Sequence, residues 1–152
     1  MRPRISIAFI LFVSARMTLA DVYDVRYGTF ESPPGFTFKH TGTIDSFMGT
    51  LTRAVDGFTI TFDVGAMAGT HMGEFRQHDC TFYRVHRING IPTFTGIQGT
   101  AHGQKITTSI YDPKSLAAPA PANFWADITK DSDIAEFLLI VSSYKSTTKE
   151  HP

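Results

Sequence analysis

The dipeptide Asp56-Gly57, placed between two runs of alternating apolar and polar residues, constrains the fold of this chain more than any other feature. Asp-Gly suits a two-residue β-hairpin turn because both residues tolerate the positive φ angles that such a turn requires. A turn at this point pairs Val55 with Phe58 and sets the register of the whole hairpin. The large apolar residues then share one face: Phe47, Leu51, Val55, Phe58, Ile60, Phe62 and Val64. The sequence therefore predicts a central hairpin with one buried face and one solvated face.

A second two-residue turn signal, Asn89-Gly90, predicts a hairpin in which Ile88 pairs with Ile91. Because Pro92 cannot donate a hydrogen bond to a neighbouring strand, its strand is predicted to lie at the edge of a sheet. Alternating or apolar runs predict further strands at residues 23–27, 36–39, 105–111 and 124–128. The glycine-rich segment 65–79 and the proline- and alanine-rich segment 112–123 are predicted to be a loop and an exposed connection.

Near the C-terminal end the apolar residues change to helical spacing: Ile134, Phe137, Leu138, Val141 and Tyr144. Asp133 and Glu136 match a helix capping box, and we expect the helix to bury Phe137, Leu138 and Val141 together. A strand over residues 137–141 is the alternative, but the neighbouring polar residues favour the helix. The predicted fold class is α+β: a mainly antiparallel β-sheet built from hairpins, with a C-terminal helix packed on one face.

The N-terminal sequence is typical of an exported protein. Two arginines within the first four residues precede an apolar run over residues 5–13, and small residues follow, which is the order of a secretory signal peptide. Cleavage is predicted after Ala20, with Ala15 as the alternative site. An uncleaved anchor is less favoured because the apolar run is too short to span a bilayer comfortably. The predicted organisation is a signal peptide at residues 1–20, one β-rich domain at 21–145 and a polar tail at 146–152.

Charge and cysteine content narrow the range of functions. Removing residues 1–20 leaves 11 basic and 14 acidic residues, a net charge of −3, which gives no electrostatic reason to bind nucleic acid or an anionic membrane. No transmembrane segment is predicted in the mature chain. Cys80 is the only cysteine, so an internal disulfide bond is excluded. We expect a periplasmic or extracellular domain that relies on its apolar core for stability.

Several short motifs run through the first half of the predicted mature chain: Pro34-Gly35-Phe36, Ile44-Asp45-Ser46 with Gly49, Asp56-Gly57, Phe62-Asp63-Val64-Gly65 and Ala68-Gly69. This series resembles a group of small exported bacterial proteins that have no assigned function. The ending, from Phe124-Trp125-Ala126 through Ser142-Ser143-Tyr144, is similar to the final strand and helix of PsbP- and Mog1-like domains. The two resemblances imply an exported protein with an antiparallel sheet packed by helices, and they imply no catalytic residue.

Candidate ligand-binding residues surround the loop at residues 65–79. Asp45 and Asp63 flank the open end of the central hairpin, and His71 and His78 lie in the loop. Two carboxylates held close together can bind a cation such as calcium or act as acid and base. The alternative is that Asp45 only favours a turn and Asp63 only lies on a polar face. Because glycine-rich loops allow close approach to the backbone, a ligand is predicted to lie between Asp63 and this loop.

A second set of side chains could bind copper or zinc: His71, His78, Cys80 and His86. His78 and Cys80 share a face of an extended segment, and His86 joins them if the strand is unbroken. No spacing here matches a known metal motif, so simple packing of these side chains is the alternative. Cys80 could also be a nucleophile with His78 or His86 as its base, but no catalytic motif surrounds it.

The function predicted from the sequence is a binding or interaction module of the cell envelope, whose partner is an unidentified small molecule or envelope protein. The alternatives are a copper- or zinc-binding protein that uses the His, Met and Cys loop, and a small hydrolase-type enzyme. The sequence identifies neither a cofactor nor a catalytic residue. Phe124 and Trp125 suggest a stacking platform, but alternation places them on opposite faces, with the inward ring against the C-terminal helix.

Overall fold

The computed structural model describes residues 19–42, 45–65, 68, 79–112 and 120–147. The first five strands are β1 (Asp21–Asp24), β2 (Gly28–Ser32), β3 (Phe36–Gly42), β4 (Phe47–Arg53) and β5 (Thr59–Val64). The later elements are β6 (Cys80–Ile88), β7 (Ile91–Thr100), β8 (Gly103–Ile110), β9 (Ala122–Ile128), α1 (Asp131–Ser142) and β10 (Lys145–Ser146). Most of the predicted signal peptide and most of the predicted loop at 65–79 lie outside the described residues.

Seven strands form the larger sheet in the order β3-β4-β5-β9-β8-β7-β6, and all neighbouring strands are antiparallel. A smaller sheet has the order β1-β2-β10, and helix α1 packs against both β2 and β9. The predicted α+β fold, mainly antiparallel with a C-terminal helix on one face, is confirmed. Within the described residues, no helix is long and apolar enough to cross a membrane.

Aromatic rings fill the core between the two sheets. The ring of Phe30 in the smaller sheet lies 5.2 Å from Phe62 and 5.7 Å from Phe124 in the larger sheet, centroid to centroid. The ring of Phe124 in turn lies 5.8 Å from the ring of Tyr144, which comes two residues after helix α1. These four side chains are fully buried. Their edge-to-face packing ties the smaller sheet and the C-terminal segment to the same face of the larger sheet.

The central hairpin has the predicted faces but a different turn. The loop runs from Ala54 to Gly57, with hydrogen bonds from the Arg53 N–H to the Phe58 carbonyl and from the Gly57 N–H to the Arg53 carbonyl. The register is shifted by two residues from the prediction, and an even shift keeps each strand side chain on its face. Gly57 has the expected positive φ, 77°. The predicted burial of Val55 is wrong, because this residue lies in the loop and is 85% exposed.

The second hairpin matches its prediction at the turn but not at the sheet edge. Asn89 and Gly90 both have positive φ, and Ile88 pairs with Ile91. The edge position predicted from Pro92 is wrong, since β7 lies between β6 and β8. Pro92 is tolerated there because the pairing of β7 with β8 begins one residue later, at Thr93. The proline therefore lies where the sheet ladder needs no N–H from it.

The predicted first strand over residues 23–27 is wrong. The chain turns at Arg26, which has a φ of 66°, and this turn joins β1 to β2 in a hairpin of its own. The Asp24 carboxylate stabilises the turn by accepting a hydrogen bond from the Arg26 N–H at 2.9 Å. Alternation of Tyr and Val continues through this turn, so sequence spacing alone did not reveal it.

The C-terminal helix begins earlier than its apolar spacing suggested. Lys130 is the N-cap, and the Asp133 carboxylate accepts hydrogen bonds from the backbone N–H groups of Lys130 and Thr129. Phe137 and Val141 are buried as predicted. The predicted burial of Leu138 is wrong, because the buried helix face runs through Ile140 instead. Ser146, assigned to the polar tail from the sequence, pairs with Gly28 in strand β10.

Candidate functional site

A row of buried polar side chains crosses the face of the larger sheet that points away from the helix, here called the outer face. Asp63 in β5, Asn123 in β9 and Ser109 in β8 are direct neighbours in register, and we call these three residues the outer polar row. Their exposed fractions are 8%, 0% and 1%. Because side chains alternate along a strand, the row faces away from the core that Phe62 and Phe124 enter from the same strands.

Two chain connections meet at the end of the sheet beside this row. The Gly65 N–H donates to the Pro121 carbonyl at 3.0 Å, so the pairing of β5 with β9 continues past the strand ends. The Asn123 side-chain amide donates to the Ala68 carbonyl at 3.2 Å. Ala68 is itself buried, at 7% exposed. Ala68 therefore lies against the row, while most of the predicted loop lies outside the described residues.

Asp63 lacks the hydrogen bonds that its neighbours have. The Ser109 hydroxyl donates to the Asn123 side-chain oxygen at 2.7 Å, and Asn123 donates onward to Ala68. By contrast, Oδ1 of Asp63 is buried and has no hydrogen-bond partner among the residues that the structure describes. Leaving one buried hydrogen-bond acceptor unsatisfied costs about 1–3 kcal/mol. Such a group requires an explanation in function or in a bound partner.

Aromatic side chains extend the outer face beyond the row. Phe94 in β7 pairs with Ser109 in register, and its ring lies 5.3 Å from the ring of Tyr111. Burial raises the pKa of the Tyr83 hydroxyl, and the nearby Tyr111 and Cys80 raise it further. These side chains form an aromatic wall on the side of the row away from Asp63. The wall is half-buried, so a ligand of the row can contact it.

Trp125 and Phe124 lie on opposite faces of β9, as predicted. Phe124 is fully buried against Tyr144, whereas Trp125 is half-buried on the outer face. Trp125 pairs in register with Thr61 on one side and Thr107 on the other. The Thr107 hydroxyl oxygen is the second buried side-chain atom without a hydrogen-bond partner in the described part of the chain.

Cys80 and His86, the two members of the predicted metal-binding set that the structure describes, lie on different faces of β6. A β-bulge between Cys80 and Phe82 reverses the alternation, so Cys80 pairs with Gln98 on the outer face. His86 pairs with Thr93 on the core-side face, where its Nε2 lies 3.0 Å from the hydroxyl of Thr95. The predicted common face for Cys80 and His86 is therefore wrong.

His71 and His78, the other two predicted metal ligands, lie outside the described residues. Among the residues that the structure does describe, no group of three or more His, Cys, Asp or Glu side chains could hold a metal ion. Burial raises the pKa of the Cys80 thiol, and the charge of Asp79 raises it further. Cys80 is therefore a protonated thiol at neutral pH, which does not suit a nucleophile.

The two predicted acidic residues have different environments. Asp45 is exposed, whereas Asp63 is buried. No hydrogen bond or ion pair joins these two side chains in the described part of the chain. Asp63 therefore stays a candidate site residue, and the described residues show no contact between it and Asp45.

Sequence reasoning missed Asn123 and Ser109. Each carries a small polar side chain next to apolar strand residues, and neither belongs to a recognisable motif. The only sequence signal was alternation, which places Asn123 on the same face as Trp125. Their relation to Asp63 depends on the insertion of β9 between β5 and β8, which is not visible in the sequence.

A second polar cluster lies at the opposite end of the central hairpin. The Arg53 guanidinium binds three carboxylates, those of Asp56, Asp133 and Glu136, and Lys130 also donates to Asp56. A cleft of about 450 Å³ lies beside it, lined by Asp56, Gly57, Phe58, Thr59, Asp127, Thr129 and Lys130. Every charge in this cluster has a partner, so its role in joining the hairpin loop to the helix explains it without a ligand.

The fold and the outer polar row together define an α+β protein whose candidate binding site lies on the middle strands β5, β9 and β8 of the larger sheet. No protein-family model matches the chain. A comparison with curated proteins likewise finds no match.

Proposed function

We propose that this protein is an exported binding module of the cell envelope that holds a small ligand at the outer polar row. The observation that carries the proposal is the buried Oδ1 of Asp63, which has no hydrogen-bond partner within the described part of the chain. A bound group with a positive charge or with N–H or O–H donors would satisfy this oxygen. It would also remove the penalty of burying an unpaired carboxylate.

The neighbours of Asp63 favour a ligand that donates hydrogen bonds. Asn123 and Ser109 are fixed by their own hydrogen bonds, so they form a rigid polar floor beside the carboxylate. Rigid, pre-organised groups lower the entropy cost of binding. Tyr111 and Phe94 add apolar surface next to the floor, which suits an organic ligand that carries an ammonium or hydroxyl group.

Two observations favour a binding module over a hydrolase. Asp63 has neither a second carboxylate nor an imidazole in hydrogen-bonding contact among the described residues, although acid–base catalysis needs such a positioned partner. The raised pKa of Cys80 removes the most reactive nucleophile of the outer face.

Export rests on the N-terminal sequence pattern and on the resemblance to small exported bacterial proteins. The N-terminal residue of protein recovered from cells tests it by mass spectrometry. We expect a start at Asp21, or at Arg16 if the alternative cleavage site is used. An intact Met1 on all of the recovered protein would contradict export by a cleaved signal peptide.

The ligand site is tested by amide NMR of the ¹⁵N-labelled protein. The probes are calcium, magnesium, zinc and copper chlorides in one arm, and ethanolamine, spermidine and neutral sugars in the other. We expect saturable shifts at Asp63, Asn123 and Ala68 with at least one probe. The two arms separate a bare metal ion from an organic ammonium or hydroxyl compound.

Two matched variants complete the design. Asp63→Asn removes the buried charge and should abolish these shifts, whereas Asp45→Asn changes an exposed carboxylate nearby and should leave them unchanged. Shifts that persist in Asp63→Asn, or that cluster at the cleft beside Lys130, would contradict the proposed site. A complete absence of shifts with every probe would contradict small-ligand binding at Asp63.

A further inference from the structure

Strand β6 is an edge strand of the larger sheet, and none of the described strands pairs with its outward side. The direction of its free groups follows from the register. The Pro92 carbonyl accepts a hydrogen bond from the Tyr111 N–H, so the backbone carbonyl of Pro92 points towards β8 and away from β6. Its partner Arg87 therefore directs its own N–H and carbonyl away from β7, towards the open side of β6. Every second residue of an antiparallel strand has the same direction, so Val85 and Tyr83 also direct their backbone groups outward.

The two ends of the larger sheet differ in how they are protected. At the other end, β3 exposes Thr37, Lys39 and His40 and has a register irregularity between His40 and Gly42. Lysines and bulges at such positions prevent association of sheet edges. Strand β6 also has a bulge, between Cys80 and Phe82, but from Phe82 to Ile88 it pairs regularly, and the charged side chains there are arginines. Phe82 and Val85 there are 46% and 58% exposed, and they point to opposite faces of the strand.

Charge indicates what kind of partner suits this edge. The segment from residue 80 to residue 111 contains no Asp or Glu, and its Lys and Arg residues are Arg84, Arg87 and Lys105. Arg84 and Arg87 are both exposed and lie on opposite faces of β6. The charged side chains of β6 are both arginines, so a second copy of β6 paired to this edge would add positive charge on each face, and like charges across strands are destabilising. An acidic strand would instead place carboxylates beside both arginines.

We propose that an extended acidic segment of another protein binds along β6 as an additional antiparallel strand of the larger sheet. The free backbone groups of Tyr83, Val85 and Arg87 provide the hydrogen bonds of such strand addition. Apolar side chains of the partner cover Phe82 and Val85, and its acidic side chains pair with Arg84 and Arg87. This surface is separate from Asp63, so the inference is independent of the proposed ligand site.

The probe is a capped synthetic peptide whose sequence follows from the register, Thr-Glu-Thr-Val-Glu-Thr-Val-Thr. Aligned antiparallel to Ile88–Thr81, it places its glutamates opposite Arg87 and Arg84 and its valines opposite Val85 and Phe82. The control peptide replaces both glutamates by lysine. Titration into the ¹⁵N-labelled protein should shift the β6 amides, and the acidic peptide should bind about tenfold or more tightly than its lysine control.

Two protein variants test the contacts separately. Val85→Pro removes an outward N–H but no hydrogen bond to β7, so the sheet should keep its fold and its amide spectrum. The same variant should no longer bind the acidic peptide. The double variant Arg84→Glu, Arg87→Glu should reverse the preference between the two peptides. Lys105→Glu changes the charge of β8 away from the edge and should leave the preference unchanged.

Equal binding of the acidic and lysine peptides would overturn the inference, as would unchanged binding to a folded Val85→Pro variant. Sedimentation tests whether the free protein associates with itself. If it does, and Val85→Pro abolishes the association, the edge binds a second copy and the inference is overturned. The absence of any β6 shift with the acidic peptide would have the same consequence.

Discussion

The guanidinium of Arg53 and the carboxylate of Asp133 lie 2.7 Å apart and join strand β4 to the first turn of helix α1. Their side chains are only 8% and 1% exposed. Arg53 also binds both carboxylate oxygens of Asp56 in the hairpin loop, each at 2.7 Å. One buried cation therefore connects the central hairpin to the C-terminal helix, two elements that are distant in the sequence.

Replacing Arg53 by Met should lower the free energy of unfolding by about 3–5 kcal/mol, because the change leaves Asp133 buried without its partner. Urea denaturation measures the effect. The matched control is Arg84→Met, which removes an exposed arginine and should change stability by no more than about 0.5 kcal/mol. Equal losses in the two variants would show that the buried contact has no special role.

Stability should fall in acid because of the same cluster. Hydrogen bonds from Arg53 and Lys130 lower the pKa of Asp56. Burial alone would raise the pKa of Asp133, but hydrogen bonds from Arg53 and Thr129 outweigh it and lower that pKa. The unfolded state therefore binds these protons at a higher pH than the folded state does.

It follows that the stabilisation from these two carboxylates is fully present above about pH 4 and is lost as the pH falls through their folded-state pKa values. Urea midpoints measured from neutral to acid pH should show this loss in the natural protein. The loss should be smaller in Asp133→Asn, which no longer has one of the two titrating groups. An identical pH dependence in both proteins would contradict the assignment.

Replacing Asp63 by Asn should raise the free energy of unfolding by roughly 1–2 kcal/mol, because the change removes an unpaired buried charge and keeps the side-chain shape. Denaturation of the ligand-free protein measures this gain. Asp45→Asn is the control and should have almost no effect, since Asp45 is exposed. A clear loss of stability in Asp63→Asn would mean that the carboxylate is stabilising rather than reserved for a ligand.

Phe137→Ala should cost about 3–5 kcal/mol, since Phe137 is fully buried and the change leaves a cavity against the sheet. Its neighbour Leu138 is 38% exposed, so Leu138→Ala should cost clearly less. The two midpoints of thermal unfolding, compared directly, test which helix face packs on the sheet. A larger loss of stability in Leu138→Ala than in Phe137→Ala would mean that the helix is rotated about its axis, with Leu138 towards the sheet.

Gly57→Val should destabilise the protein by on the order of 1 kcal/mol or more, because a β-branched residue resists the φ of 77° found here. No atom lies within 4 Å of a Cβ built at Gly57, so the cost is one of backbone conformation. Gly99→Val is the control, at a strand position with equally open space and no positive φ. A loss in Gly99→Val as large as that in Gly57→Val would contradict this cause.

Much of the fold follows from local features of the sequence. Asn89-Gly90 predicted both the turn and the register of its hairpin, because two positive φ angles in succession leave few other conformations. Alternation predicted which side of β5 enters the core, and that Phe124 and Trp125 lie on opposite faces of β9. Helical spacing predicted α1 and the burial of Phe137. Each of these signals depends on residues close together in the chain, so no knowledge of the whole fold was needed.

The local sequence patterns gave wrong predictions at positions where the chain forms loops or bulges. In the central hairpin, the loop has four residues instead of the two predicted from Asp-Gly, and Arg53 beside it binds both Asp56 in the loop and Asp133 in the distant helix. At the start of β6, a bulge moved Cys80 to the face opposite to His86 and separated the predicted metal ligands. Loops and bulges of this kind respond to tertiary packing, which short sequence patterns do not contain.

The candidate site was only partly visible in the sequence. Asp63 was predicted as a candidate because strand alternation is a local property, whereas most of the loop predicted beside it lies outside the described residues. Asn123 and Ser109 became its neighbours only because β9 pairs with both β5 and β8. The order of strands in a sheet is set by which faces pack best over long chain separations. The sequence by itself therefore determined the elements and their faces, and only the tertiary structure decided which polar side chains share one buried row.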